Sequence, residues 1–159
     1  MGINKKIKNA SAKEYNGIKF KSTLEASIYK RLIQLGITPE YEKHTFVLWD
    51  GFVPTIPFYT KNVFKRKDYR IKVISLATVQ DTRPLTSITY TPDFYFEYNG
   101  KKIVIEAKGF VNDVFPYKFK MFKGYLEQQP DKDSYEIWEI FTIKQLLECV
   151  NLLQHSDCQ

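Results

Sequence analysis

Two kinds of hydrophobic period divide the chain. Leu24, Ile28, Leu32 and Leu35 recur at three- and four-residue spacing, which puts them on one face of a helix. Ser22-Thr23-Leu24-Glu25 before them is a capping-box pattern and Gly36 a C-terminal stop, so a helix is predicted from about Thr23 to Leu35. Pro92 to Tyr98 and Lys101 to Ala107 alternate apolar and polar positions around Asn99-Gly100, the dipeptide favoured in two-residue type I′ hairpins. Phe115, Phe119, Phe122 and Leu126 predict a second helix over about Val114 to Glu127, and the segments after it read as a strand, Tyr135 to Phe141, and a last helix, Ile143 to Leu153. Tyr41 to Trp49 and Ile71 to Val79 are β-branched and aromatic enough for strands. Asn16-Gly17 turns the chain into a short extended stretch from Ile18 to Lys21, and residues 1–16 read as a flexible basic arm. This order predicts an α/β fold, a mixed central sheet flanked by helices, in a single domain over 17–159.

The hairpin has a chemical consequence. With Asn99 and Gly100 as the loop, Tyr98 opposes Lys101 and, counting back, Asp93 opposes Glu106. Alternation sends Phe94, Phe96, Ile103 and Ile105 to one face, the core. Asp93, Tyr95, Glu106 and Lys108 share the other, which is left for chemistry or water. Like charges directly opposed across strands are destabilising. A divalent cation would relieve that repulsion, since Mg²⁺ takes one or two protein carboxylates and keeps water and phosphate oxygens on its remaining positions. Lys108 would hold a hydrolytic water or stabilise charge developing on a phosphorane. The other reading of the same residues is a solvated hairpin face, neutralised by Lys102 and Lys108.

Composition narrows the choice of partner. The 159 residues carry a formal charge of +6, with 43% hydrophobic and 16% aromatic content, which fits a soluble globular domain. The charge is concentrated: residues 1–21 hold six lysines against Glu14, and Lys61, Lys65, Arg66, Lys67, Arg70 and Lys72 stand against Asp68 alone. A basic arm and a basic loop on a mildly acidic body point to a polyanion, with nucleic acid ahead of membrane because neither segment is an apolar-faced helix. The N-terminal run lacks an apolar stretch after its lysines, and Asp50, Pro54 and Pro57 interrupt the most hydrophobic segment. No targeting segment or membrane span is therefore expected. Cys149 and Cys158 lack zinc-ligand spacing, and the expected compartment is the reducing cytoplasm. With only His44 and His155, nucleases built on a histidine base are poorly supported. No Gly-rich phosphate loop or G-x-S-x-G elbow is present, so ATP use and acyl transfer have no basis here.

Pro92-Asp93, an alternating strand, and then Glu106-Ala107-Lys108 together resemble the signature of the PD-(D/E)XK nuclease superfamily. The likeness is to phage-type nucleases akin to the phage endonuclease I family of Holliday-junction resolvases, and more distantly to the transposon end-cleaving endonucleases. It extends over most of residues 15 to 141: Asn16-Gly17-Ile18-Lys19-Phe20, the helix bearing Glu25, Tyr90-Thr91-Pro92-Asp93-Phe94, Glu106-Ala107-Lys108-Gly109-Phe110 and the helix after it. The resemblance implies a restriction-endonuclease-like αβββαβ core. It also implies Mg²⁺ or Mn²⁺ held by Asp93 and Glu106, with Glu25 completing the acidic cluster or binding a second metal, and Lys108 positioning or activating the attacking water. Lys120 falls near a further basic residue of several relatives. The implied activity is cleavage of DNA to leave 5′-phosphates, selective for branched DNA if the resolvase likeness extends that far. A homodimer is implied with it, since a four-way junction presents two strands to cut. Glu25 also has a local explanation, as the capping-box residue bonding the Ser22 N–H. Residues 50–89 exceed what a minimal core of this type needs and read as an insertion whose basic cluster contacts DNA. The rival reading is a non-catalytic nucleic-acid-binding or assembly protein on the same fold.

Overall fold

The computed structural model describes residues 13–61, 64–65, 71–72, 78–81, 83–108 and 115–155. In chain order these form β1 (Lys13–Tyr15), β2 (Ile18–Phe20), α1 (Thr23–Gln34), β3 (Glu40–Tyr41), β4 (Phe46–Trp49), β5 (Phe58–Lys61), β6 (Phe64–Lys65), β7 (Ile71–Lys72), β8 (Thr78–Asp81) and β9 (Ile88–Tyr90). After them come β10 (Phe94–Tyr98), β11 (Lys101–Ala107), α2 (Phe115–Glu127), a 3₁₀ turn at Lys132–Ser134, β12 (Tyr135–Ile140) and α3 (Ile143–His155). The class is mixed α/β. Two compact units share the chain: one lies before Val47 and from Tyr90 onward, the other is Val47–Thr89.

The first unit is organised by a four-stranded sheet in the order β12-β11-β10-β3. Asn99 (φ 47°) and Gly100 (φ 78°) both occupy the left-handed region, as a type I′ turn requires, so β10 and β11 leave the turn in antiparallel register. Tyr98 faces Lys101 and Phe94 faces Ile105, the pairing that a two-residue loop dictates. β3 adds antiparallel to β10. β12 adds parallel to β11, Lys102 opposite Tyr135 through Ala107 opposite Ile140, which makes the sheet mixed. The connection between those parallel strands carries α2, since parallel neighbours cannot be joined by a tight turn.

One face of the sheet carries Phe94, Phe96, Ile103, Ile105, Trp138 and Ile140, packed with Ile28 and Leu32 of α1 and Leu146, Val150 and Leu153 of α3. The other face departs from the expectation of chemistry or water. Tyr95 and Val104 are buried there as well. An aromatic chain runs from Tyr95 through His44 and Phe46 to Phe122 of α2, and Phe119, Phe122 and Leu126 form the buried stripe of that helix. Both faces are therefore covered, and the charged end of the hairpin sits at the rim of a second apolar layer.

Three local boundaries differ from the sequence expectations. Residues 13–15 belong not to a flexible arm but to β1, paired with β2 across an Asn16-Gly17 turn with φ 51° and 76°. Residues 1–12 of that arm lie outside the described residues. The single strand expected over Tyr41 to Trp49 is split into β3 and β4, because Glu42 adopts φ 48° and turns the chain out of the extended region. Helix α1 ends at Gln34, and the N–H groups of Gly36 and Ile37 donate to Ile33 and Leu32 carbonyls, a Schellman closure that requires the left-handed Gly36, φ 78°.

In the second unit β5 pairs with β8 and β6 with β7, both antiparallel, and Phe52 bridges Leu85. The expected strand over Ile71 to Val79 is described only as β7 and the start of β8, its middle lying outside the described residues. Of the basic cluster, Lys61, Lys65 and Lys72 lie on β5, β6 and β7, whereas Arg66, Lys67 and Arg70 lie outside the described residues. Among the described residues no helix is long and apolar enough to cross a membrane.

Candidate active site

Among the described residues the buried polar or charged side chains are Glu25, Glu106 and Lys108, at 7%, 8% and 7% exposure. Charged side chains are almost never buried without partners, so their contacts are informative. Glu106 and Lys108 alternate onto one side of β11 and its continuation, where the Lys108 N–H donates to the Ile140 carbonyl at 2.8 Å. The Lys108 ammonium lies 2.7 Å from one Glu106 oxygen and 2.9 Å from the centroid of the Phe115 ring. The other Glu106 oxygen accepts the Tyr90 hydroxyl.

Asp93 lies one step beyond the last ladder pair, Phe94 with Ile105, and follows the buried Pro92. Its side chain, half-buried, takes the next N–H of β11: Ala107 N donates to Oδ2 at 2.7 Å. Its carbonyl accepts the Glu42 N–H at 3.0 Å. Burial first, then the negative charge of Glu106 and more weakly that of Glu25, push the Asp93 carboxyl up to about 7, against the Ala107 N–H and the Lys108 charge, which pull it down. Asp93, Glu106, Glu25 and Lys108 thus share one electrostatic neighbourhood.

Glu25 is placed by the first turn of α1. The Ser22 hydroxyl accepts the Glu25 N–H at 3.1 Å, the expected N-cap. The return bond differs: Glu25 Oε2 accepts from the Lys21 N–H at 3.0 Å and not from Ser22, because the same oxygen also accepts the Tyr41 hydroxyl at 2.6 Å and is drawn toward β3. Both tyrosine hydroxyls are held well above their ordinary range, Tyr41 by burial and its bond to Glu25, Tyr90 by burial and the Glu106 charge. Lys21 pairs with Glu42 and is held above the ordinary lysine value chiefly by that bond, with Asp93 and Glu25 contributing.

Lys120 stays exposed on α2 and lines a cavity of about 350 Å³ with Phe115, Pro116, Phe119, Lys123 and Glu139. Sequence reasoning passed over three of the residues around the cluster. Tyr41 and Tyr90 grip its glutamates, and Glu139 stands beside Glu106 on the neighbouring parallel strand. Tyr90 opens the Tyr90-Thr91-Pro92-Asp93 run, but the need of its hydroxyl for a partner follows only from its burial in the fold. Nothing in the sequence marks Tyr41 or Glu139 either.

The donors that converge here are carboxylate oxygens and an ammonium. Among the described residues no group of three His, Cys, Asp or Glu side chains forms a ready cage for a cation. Compared with protein-family models, curated proteins and solved structures, the chain has no match.

Proposed function

We infer that the protein is a metal-dependent endodeoxyribonuclease that hydrolyses a DNA phosphodiester bond at the Asp93–Glu106–Lys108 cluster. The observation that carries this reading is the burial of three charged residues, Glu25, Glu106 and Lys108, around a fourth, Asp93, whose carboxyl is pushed up to about 7. Asp93, Glu106, Glu25 and Glu42 outnumber Lys108 and Lys21 and leave excess negative charge, and an all-oxygen donor set suits a hard divalent cation. Mg²⁺ or Mn²⁺ fits that set, with Asp93 and Glu106 as ligands and Glu25 completing the acidic cluster. When bound, the ion would polarise the phosphoryl oxygen and acidify a coordinated water.

The chain's own groups have separate tasks. Asp93 and Glu106 supply negative oxygens at the end of the hairpin. Lys108, set against Glu106 and the Phe115 ring, presents N–H donors to the attacking water and to the charge that grows on the phosphoryl oxygens. Attack by water on phosphorus, with the P–O3′ bond breaking, leaves a 5′-phosphate and a 3′-hydroxyl.

The order α1, β3, β10, β11, α2, β12 supports a restriction-endonuclease-like αβββαβ core, three antiparallel neighbours followed by a helix and a parallel strand. Branched DNA is the substrate class we favour, with the basic segment around Lys61, Lys65, Arg66, Lys67 and Arg70 on the phosphates and Lys120 as a further contact. A homodimer belongs to this reading, because two opposed strands must be cut.

Labelled four-way-junction and linear duplex DNA incubated with Mg²⁺ or Mn²⁺ test it. Cleavage by the unaltered protein should fall at least a hundredfold in Asp93→Asn and in Lys108→Ala, each verified as folded. Undiminished cutting in both would assign the reaction elsewhere. DNA binding without cutting, indifferent to metal, would leave a non-catalytic binding protein.

A further inference from the structure

Glu106 is held from two sides by groups of different character. Lys108 is a flexible chain with a compact ammonium, whereas Tyr90 is a rigid ring 6% exposed, stacked on Phe122 with centroids 4.4 Å apart and planes 22° apart. Phe122 itself is fully buried, so the Tyr90 hydroxyl has little freedom in where it points. Resting on the nuclease reading above, we propose that Tyr90 is a positioning residue, whose hydroxyl holds the Glu106 carboxylate in the orientation needed to bind a divalent cation beside Asp93.

The argument is one of divided labour. Lys108 occupies a Glu106 oxygen at 2.7 Å, yet in catalysis its ammonium faces water and phosphate. A carboxylate oriented by that lysine alone would lose its orientation whenever the lysine turned to the substrate. Tyr90 has no such second task, since its ring is enclosed by Phe119 and Phe122 and its hydroxyl meets Glu106. A donor of this kind stabilises the ionised carboxylate and leaves lone pairs free. The cluster uses the same device twice, because Tyr41 holds one oxygen of Glu25 at 2.6 Å. Groups that orient ligands in this way change metal affinity by roughly 10–100-fold when removed.

Calorimetric Mn²⁺ titration of the full chain, the Tyr90→Phe and Glu106→Gln variants and the double variant tests the assignment. Tyr90→Phe keeps the ring and should weaken Mn²⁺ binding by about 10–100-fold. Cleavage at saturating Mn²⁺ should then stay within about threefold, so that the loss lies in the metal concentration needed and not in kcat. Added to Glu106→Gln, the same change should cost nothing further, as no carboxylate is left to orient. Unchanged Mn²⁺ affinity in Tyr90→Phe, or an equal loss in both backgrounds, overturns the role while the nuclease reading stands. A folded, unaltered protein that takes up no Mn²⁺ overturns both. Should Tyr90→Phe not fold, 3-fluorotyrosine at position 90 keeps the hydroxyl. Its ¹⁹F resonance should move on Mg²⁺ saturation only where Glu106 is intact, and a resonance indifferent to Mg²⁺ rejects the proposal.

Discussion

At Asp93 charge and burial are poorly reconciled. Its carboxyl sits at about 7 in the folded chain against an ordinary value of 3.8, so between those values the folded state binds a proton that the unfolded state does not. Linkage fixes the sign: in metal-free buffer this group's contribution to stability is greatest below pH 3.8 and is lost as the pH rises to 7. Removing the charge should reverse that loss. Asp93→Asn is expected to be more stable than the unaltered protein at pH 8, on the order of 2 kcal/mol once the cost of burying an amide is set against the gain. Near pH 4, where the carboxyl is protonated in the fold, only the amide's cost is left, and the variant should be the less stable of the two. Urea denaturation of both proteins in chelator at the two pH values checks this, and equal stability at pH 8 would mean that the carboxylate is not strained. Mg²⁺ should close the gap by stabilising the unaltered protein alone, by RT ln(1 + [Mg²⁺]/Kd). A group that destabilises the fold where it is ionised is what a binding site retained for function looks like.

At the scale of elements, the hairpin does most to place the site, and it is also the most legible part of the chain. Its register follows from loop length alone, because both loop residues take positive φ. A Cβ at Gly100 would meet nothing within 4 Å, so any cost of replacing it comes from the backbone. Gly100→Val should therefore cost about 1–2 kcal/mol in a denaturation midpoint while leaving cleavage per folded molecule unchanged; a loss of activity beyond the folded fraction would mean that the register had moved. Helix α1 is legible for a similar reason, since its Ser22 cap, its i, i+4 stripe and its Gly36 stop are all local signals. Long-range partners carry no such mark. Tyr90 bonds a residue 16 positions away, as does Tyr41, and no period in the sequence points from one to the other. The split at Glu42 was hidden as well, because a glutamate at φ 48° is held there by its surroundings and not by propensity. The buried second face was missed because alternation in β10 and β11 reports which residues share a side, and not whether a helix covers it.

Across the whole molecule the two units make separate demands. Val47–Thr89 exposes Trp49, Val53, Ile56 and Tyr59 and depends on a close backbone approach, since a Cβ on Gly51 would come within 2.5 Å of the Leu85 carbonyl oxygen. Gly51→Ala should open this unit first: hydrogen exchange is expected to quicken at residues 52–58 and 83–88, with the amides of β10 and β11 keeping their protection. Equal quickening in both would mean that the units unfold together. The second unit also holds the basic cluster, whose proposed task is to neutralise phosphates. That task predicts a slope, because each phosphate neutralised on duplex DNA contributes about 0.9 to the dependence of log K on log salt. Replacing Lys65, Arg66 and Lys67 together with glutamine should lower the magnitude of that slope by about 2–3 and weaken binding evenly across DNA sequences, while Mn²⁺ affinity at Asp93 and Glu106 stays as it was. An unchanged slope would free the second unit from DNA and leave the N-terminal lysines to carry the polyanion contact. A lower slope with unchanged metal affinity would separate the two properties a nuclease must combine, a surface that holds the backbone and a cluster that cuts it.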